Sequence, residues 1–473
     1  MITPLLWLSL VAATPSVAAA TPFDASFTGA TLRFDYFHSG TAGEEHVSFD
    51  QVRLEGEWPG SRTQLLDTTN FGKYLFEVVD MATNRTLYSR GFSSLYGEWE
   101  ITGEALGGAW RTFQESQRFP EPRRRVQLVL KKRRPDGSFG EFFTTVVDPA
   151  HRSVNRSPIA PDGQVWTVFE NGPAATKVDL LFISDGYTAA EQAKFRADAE
   201  RLAGNLFSFE PFARHRGDFN VRALAVPSVD SGITNPRSGV WHNTALGLTY
   251  NAFDSDRYVL TFENKRLREI AAQAPYDALI LVANNRKYGG GGIFNLWLTA
   301  AADSGQSPYL IVHEFGHSFA DLADEYYTSQ VAYDVSSRPG TEPWEANVTA
   351  LLDPAQLKWK DLVAADTPLP TPWNQEEYDK ASLAYQERRE AMRAAGASEE
   401  AMEALFDEIK ATTQPMLEAG PYYGQVGAFE GASYQAKGLY RPSADCIMFS
   451  RNPDYFCPVC SRALEQVIAL YTQ

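Results

Sequence analysis

The chain has 473 residues, of which 44% are hydrophobic and 22% are charged. This balance excludes a disordered or fibrous protein, and the length predicts two or three domains. Acidic residues number 59 against 43 basic ones, which gives a formal net charge of −16. A surface this acidic repels polyanions, so we expect no nucleic-acid partner and no attraction to an anionic membrane.

Residues 1–20 predict an export signal peptide. An apolar run from Leu5 to Val11 leads to three consecutive alanines at 18–20, which fit a signal-peptidase cleavage site. No Lys or Arg precedes the run, so its positive charge comes only from the terminal amine. No later apolar run reaches the length of about 18 residues that spans a bilayer. We expect a mature protein that begins near Thr21 and is periplasmic or extracellular.

Residues 21–155 predict an all-β, sandwich-like N-terminal domain. Segments 126–130 and 142–147 alternate in a strand-like way and flank Pro135-Asp136-Gly137, which is typical of a β-hairpin. The polar, proline-bearing stretch 151–163 then predicts a domain boundary.

From residue 164 to 473 the pattern predicts an α/β domain. Residues 178–183 form a continuous apolar run, which is typical of a strand buried on both faces. Segments 219–226 and 278–283 predict further strands, with amphipathic helices between them. A charge-rich segment at about 375–412 predicts a helical insertion on the surface of this domain.

The sequence His313-Glu314-Phe315-Gly316-His317 predicts a zinc site. Side chains four residues apart project from one face of a helix, so both imidazoles can reach one Zn²⁺. Glu314 can then take a proton from the metal-bound water instead of binding the metal. We therefore predict hydrolysis of a carbonyl compound, with Glu314 as the general base.

A catalytic zinc needs a third protein ligand and an open position. A short-spacer zincin would have a Gly at position 320 and its third ligand at 323, but both residues are alanine. If the helix ends near there, a carboxylate can fold back onto the metal. We predict Asp324 as this ligand, with Glu325 as the alternative. Asp321 is a weaker candidate because it can continue along the helix face.

A methionine and a tyrosine further along the chain are candidates for the same site. The segment 445–449 resembles the Met-turn of the metzincins, in which a methionine forms an apolar floor beneath the zinc ligands, and this predicts Met448 as that floor. Peptide hydrolysis also needs a donor for the developing oxyanion. Tyr434 is our candidate, with Tyr440 and Arg441 nearby, although packing is the commoner role of a tyrosine.

The three cysteines, Cys446, Cys457 and Cys460, lie in one short segment. In an oxidising compartment we expect a disulfide from Cys446 to Cys457 or Cys460, with one thiol left over. A redox-active pair at 457 and 460 is the alternative, but no thioredoxin-like pattern surrounds it. Three thiolates without a fourth ligand make a poor structural zinc site.

These segments together resemble the IgA-peptidase-like zinc metallopeptidase family, peptidase family M64. The resemblance covers about residues 178–460 and rests on ISDGYT, FNV, YGGGGI, HEFGHSFADLADEYY, GAFEGASY, GLYRPSADCIMF and FCPVC. It implies a metzincin-like zinc protease domain preceded by a β-domain. It also implies that His313 and His317 bind zinc, that Glu314 is the general base and that Met448 is the Met-turn residue.

We therefore expect an exported zinc-dependent endopeptidase that acts on a protein or peptide substrate. The alternative is a partner-binding or adhesion protein in which the zinc site is structural or vestigial. A hydrolase of non-peptide bonds could use the same ligands. The intact Glu314 favours catalysis.

Overall fold

The computed structural model describes residues 23–329 and 340–472. The predicted signal peptide, residues 1–20, lies outside these described residues. Within them, no helix combines the length and the apolar character needed to cross a bilayer.

The N-terminal region is built mainly from two four-stranded sheets. Its strands are β1 (Phe27–Gly40), β2 (Glu45–Glu57), β3 (Tyr74–Asp80), β4 (Arg85–Phe92), β5 (Arg111–Pro122), β6 (Val126–Arg133), β7 (Phe139–Val147) and β8 (Val154–Asn155). The strand orders are β5-β1-β2-β8 and β4-β3-β6-β7. The predicted hairpin is confirmed, since β6 and β7 pair antiparallel with Val126 opposite Val147.

Short helices accompany these strands, so the region does not consist of strands alone as the sequence predicted. They are α1 (Phe23–Ser26), α2 (Leu95–Trp99) and α3 (Gly103–Leu106). Aromatic side chains from both sheets share one core, in which Phe34, Phe76 and Phe119 are fully buried. The rings of Phe76 and Phe119 lie 5.7 Å apart and join the two sheets. Each buried ring contributes about 1.5–3 kcal/mol to stability.

The following region contains a six-stranded sheet. Its strands are β9 (Gln164–Phe169), β10 (Val178–Asp185), β11 (Phe219–Ala225), β12 (Ala278–Ala283), β13 (Gly290–Ile293) and β14 (Trp297–Ala301). They lie in the order β13-β14-β12-β10-β11-β9, and the four inner strands are parallel to one another. The edge strands β9 and β13 are antiparallel to their neighbours.

Both faces of this sheet are covered, as the apolar run in β10 predicted. Leu180 and Phe182 belong to the core on one face, and Leu181 and Ile183 to the core on the other. The first face is covered by α4 (Gln192–Leu206), α6 (Ser307–Ala320) and α9 (Pro458–Thr472), and the second by α5 (Asn264–Ala271). The remaining elements are α7 (Gln375–Ala394), α8 (Glu399–Glu418), β15 (Phe429–Ala432) and β16 (Gln435–Arg441).

The two regions meet through polar and stacking contacts. The Arg118 guanidinium lies 3.7 Å from the centre of the Tyr276 ring and donates to the Tyr276 carbonyl at 2.9 Å. Asn264 of α5 donates to the Ser116 hydroxyl at 2.8 Å. Both contacts are partly or fully buried, so they fix β5 against α5 and the segment that precedes β12.

Glycines let α6 approach the sheet edge closely. A Cβ atom on Gly292 of β13 would lie 2.4 Å from the Glu314 carbonyl oxygen and 3.0 Å from the His317 Cβ. Any larger residue would therefore push the helix away from β13. This close packing positions the face of α6 that carries the two histidines.

The predicted disulfide is absent from the described structure. Cys446, Cys457 and Cys460 are all buried free thiols. The Sγ atoms of Cys446 and Cys460 lie 3.9 Å apart, whereas a disulfide requires about 2.05 Å. The expectation was wrong because the sulfur atoms converge together with a carboxylate and do not pair.

Candidate active site and metal centre

The end of α6 brings His313, His317 and Asp324 together. The two Nε2 atoms lie 3.1 Å apart, and Asp324 Oδ1 lies 3.1 Å from one and 3.2 Å from the other. The helix ends at Ala320, and Asp321 follows with a left-handed φ of 52°. That turn reverses the chain, so Asp324 folds back onto the face of α6 that carries the histidines.

These three residues suit a divalent metal. Their ligand atoms all lie within 4.8 Å of one another. Asp324 Oδ1 is buried and, apart from the two imidazoles, has no polar partner among the described residues. A buried carboxylate in such a setting is costly unless a cation satisfies it. Two imidazoles and one carboxylate are a common donor set for catalytic zinc.

The charges of the three groups are coupled. Burial opposes ionisation of Asp324, but the neighbouring His317 and His313 outweigh it and hold the pKa of this carboxyl well below its usual range. Burial also lowers the pKa of His317, but Asp324 outweighs this and raises it to about 9. Metal binding at neutral pH must therefore displace a proton from the site.

Backbone carbonyls orient both imidazoles. His313 Nδ1 lies 3.0 Å from the Ile447 carbonyl oxygen, and His317 Nδ1 lies 2.5 Å from that of Leu322. A carbonyl can only accept, so each Nδ1 carries a proton, and Nε2 is the nitrogen that can bind a metal once any proton on it has been lost.

Tyr434 lies beside the predicted metal ligand Asp324. Its hydroxyl donates to Asp324 Oδ2 and it lines the same cleft. Ser433 and Tyr434 form the tip of the β15–β16 hairpin, and both have left-handed φ values, 45° and 64°. Non-glycine residues adopt this conformation at a cost of about 1–2 kcal/mol each. Such strain often accompanies functional sites.

The other carboxylates considered for the metal lie elsewhere. The Glu325 carboxylate is fully buried and contacts Asn347 and Cys460. Asp321 Oδ2 accepts hydrogen bonds from the Gly72 backbone N–H at 2.6 Å and from the Trp344 indole at 3.1 Å. Asp324 is therefore the carboxylate that lies at the histidines.

Met448 packs against α6 at Gly316, the residue before His317. A Cβ atom on Gly316 would lie 2.8 Å from Met448 Sδ, so the sulfur rests directly on the helix backbone. The Met448 carbonyl also accepts a hydrogen bond of 2.9 Å from the Glu325 N–H. The segment that contains Met448 is thus fixed to both sides of the turn after α6.

A cleft of about 310 Å³ opens onto these residues. Glu314 lines it next to both histidines, and burial raises the pKa of the Glu314 carboxyl, although the two imidazoles act in the opposite direction. One wall comes from the N-terminal region, through residues that include Lys73 and Glu98.

Sequence reasoning missed several residues of this cleft. Arg257 lies in it and donates to the Tyr326 hydroxyl at 2.8 Å. Tyr326 directly follows Asp324 and Glu325, so its position beside the predicted ligands could have identified it as a residue of the cleft. Arg257 and the wall from the N-terminal region belong to no local motif, so only the fold reveals them.

Two protein-family models match most of the chain. Residues 167–468 match the model of the family described as IgA Peptidase M64, and residues 22–144 match the Peptidase M64 N-terminus model. These matches identify the protein as a peptidase. The chain belongs to the peptidase M64 family, as its motifs indicated. The comparison with curated proteins found no match.

Proposed function

We propose that the protein is an exported zinc endopeptidase in which His313, His317 and Asp324 hold the metal. The convergence of two imidazole nitrogens and one buried carboxylate oxygen carries this proposal. Three protein ligands leave a fourth coordination position for water or substrate, as catalytic zinc requires. The cleft beside them gives a substrate access.

We assign Glu314 as the general base. When bound, zinc would act as a Lewis acid on the reacting water and the carbonyl group. The Glu314 carboxylate lines the same cleft, so it can accept the proton of the attacking water and pass it to the leaving nitrogen. Its raised pKa makes it a stronger base than an exposed glutamate.

Tyr434 remains our candidate for stabilising the negative charge on the carbonyl oxygen. Its hydroxyl donates to Asp324, so it would have to exchange that acceptor for the substrate oxygen during the reaction. Tyr326 lines the same cleft and carries a hydroxyl proton of its own, which makes it the alternative donor.

An extended peptide substrate would pair with the outer edge of β13. The Gly290 N–H donates to the Arg257 carbonyl oxygen, and the Gly290 carbonyl accepts from the Val259 N–H, both at 3.1 Å. Both backbone groups of Gly290 therefore face that edge. Backbone groups alternate in direction along an edge strand, so those of Gly292 face the same way. Gly292 lines the cleft, and strand addition at such an edge is a common mode of peptide binding.

We further propose a metzincin-like architecture and an N-terminal β-sandwich. The contact of Met448 with Gly316 of α6 supports the first, and the aromatic core shared by two sheets supports the second. We divide the chain into a signal peptide at 1–20 and domains at 21–155 and 164–473.

In the alternative function, the zinc would be structural and the N-terminal domain would bind a partner. A structural zinc site is closed by four protein ligands and needs no base. The presence of Glu314 in an open cleft therefore favours catalysis.

Cleavage of a diverse peptide library by the full chain tests this function. We expect cut sites, identified by mass spectrometry, that disappear with a chelator and return with added zinc. Glu314→Gln should keep zinc and thermal stability while the cleavage rate falls by about 10²–10⁴-fold. Glu376→Gln, an exposed change on α7, is the control and should keep full activity. A zinc-loaded wild-type chain that cuts no peptide would contradict the proposal.

A further inference from the structure

A second cluster of metal-binding side chains lies behind the turn that follows α6. It consists of the Glu325 carboxylate and the Sγ atoms of Cys446, Cys457 and Cys460. One ligand atom from each residue lies within 4.8 Å of all the others. All four residues are 0% exposed, so the cluster is closed to solvent.

The spacing of the sulfur atoms fits one tetrahedral ion. Two thiolates bound to the same zinc at about 2.3 Å lie about 3.8 Å apart. The observed separation of Cys446 Sγ and Cys460 Sγ is 3.9 Å. That distance is far too long for a disulfide and matches the edge of a zinc tetrahedron.

Glu325 offers a fourth ligand atom beside the three cysteines. Its Oε1 lies 3.2 Å from Cys460 Sγ and accepts a hydrogen bond from Asn347 at 3.0 Å. Its Oε2 is buried and has no hydrogen-bond partner among the described residues. An orphaned carboxylate oxygen beside three thiols is costly, and a divalent cation would remove the cost.

The backbone around the sulfur atoms also suits thiolates. Cys457 and Cys460 flank the start of α9, where the helix dipole favours negative charge. The Cys457 N–H points at Cys446 Sγ, at a distance of 3.3 Å. Hydrogen bonds of this kind orient metal-bound ligands and stabilise their charge.

We propose that Glu325, Cys446, Cys457 and Cys460 bind a second, structural zinc ion. Four protein ligands close the coordination sphere, which distinguishes this site from the open one at the histidines. Thiolate-rich sites select soft or borderline metals, and Zn²⁺ fits three sulfurs and one oxygen without redox chemistry.

The second ion would hold together three segments that build the active site. Glu325 follows Asp324 directly, Cys446 lies two residues before Met448, and Cys457 and Cys460 anchor α9. The ion would thereby fix the turn that places Asp324 at the histidines. Its role is to position that turn, and it does not contact the substrate.

Metal counting on the full chain tests this proposal. We expect about two zinc ions per wild-type chain and about one in the His313→Ala/His317→Ala variant. Cys457→Ser/Cys460→Ser should lose the thiolate-bound ion, and the milder Glu325→Gln should weaken it. In the histidine variant, cobalt should still give the sulfur-to-metal charge-transfer absorption of a thiolate site.

Thiol counting distinguishes zinc from a disulfide. After unfolding with a chelator and no reductant, three reactive thiols per chain are expected. A single reactive thiol, or a histidine variant that takes up no metal even in excess zinc, would overturn the proposal. If the histidine site bound no zinc but this second site did, the result would differ. The wild-type chain and the histidine variant would then each hold about one zinc ion, bound by sulfur.

Discussion

Asp321 Oδ2 accepts a 2.6 Å hydrogen bond from the backbone N–H of Gly72, which joins the end of the active-site helix to the N-terminal region. The same oxygen accepts from the Trp344 indole at 3.1 Å. Asp321 also terminates α6 in a left-handed conformation. The Asp321 side chain therefore connects the end of α6, the N-terminal region and Trp344, which lines the cleft.

Asp321→Ala is expected to destabilise the protein by about 1–3 kcal/mol. The change leaves two buried donors unsatisfied and puts an alanine at positive φ. Urea unfolding would measure the loss. Asp321→Asn is the matched control, since an asparagine tolerates positive φ and its carbonyl oxygen can accept both bonds. Equal destabilisation by both changes would contradict this account.

Tyr434→Phe is expected to weaken zinc binding by about 10–100-fold. The hydroxyl holds Asp324 Oδ2, and loss of such a partner typically lowers metal affinity by this factor. Competition with a chelator would measure the affinity. Tyr440→Phe is the control, since Tyr440 does not line the cleft. Unchanged zinc affinity with a lower kcat would assign Tyr434 to the oxyanion alone.

Gly292→Ala is expected to lower both stability and peptide cleavage. The new Cβ would lie 2.4 Å from the Glu314 carbonyl oxygen, and relieving such a clash typically costs about 1–3 kcal/mol. Thermal unfolding and a cleavage assay would follow the two effects. Gly204→Ala in α4 has open space around its Cβ and should be neutral or stabilising by up to about 1 kcal/mol. A fully active Gly292→Ala variant would show that α6 can shift without harm.

The stability of the N-terminal region should fall between pH 6.5 and pH 9. Burial lowers the pKa of His38, but the carboxylates of Glu115 and Glu45 outweigh burial and raise it from 6.5 to about 9. A histidine whose pKa is raised by folding stabilises the folded state fully at pH values below its pKa in the unfolded chain. This stabilisation is lost as the pH rises through its pKa in the folded protein. The loss is at most about 3 kcal/mol.

Unfolding at a series of pH values would test the role of His38. His38→Gln should remove this part of the pH dependence, because glutamine carries no proton to lose. His46→Gln, at an exposed position on β2, should keep the wild-type profile. If His38→Gln kept the same decline, another group would be responsible.

The sequence allowed the core of the site to be predicted because its geometry is local. The spacing of His313 and His317 on one helix sets their separation, and Asp324 was preferred because the chain can turn after a short helix. The proposed role of Glu325 was missed because the cysteines beside it lie more than 100 residues away, 135 in the case of Cys460. Pairings of this kind have no local pattern.

The same limit applies to the walls of the cleft. Arg257 and the residues from the N-terminal region reach it only through the packing of the whole chain. The β-strands were predicted better, since the alternation of apolar and polar residues and the continuous apolar run in β10 depend directly on which side chains are buried. The short helices α2 and α3 were missed because each spans only four or five residues.

The hydrogen bond from Tyr434 to Asp324 spans 110 residues, and the one from His313 to Ile447 spans 134. A chain that has been synthesised only as far as α6 therefore still lacks the segments that contact His313 and Asp324. The cleft can be completed only after those later segments have left the ribosome and folded. The order of synthesis thus delays completion of the cleft until residues 434–447 have been made.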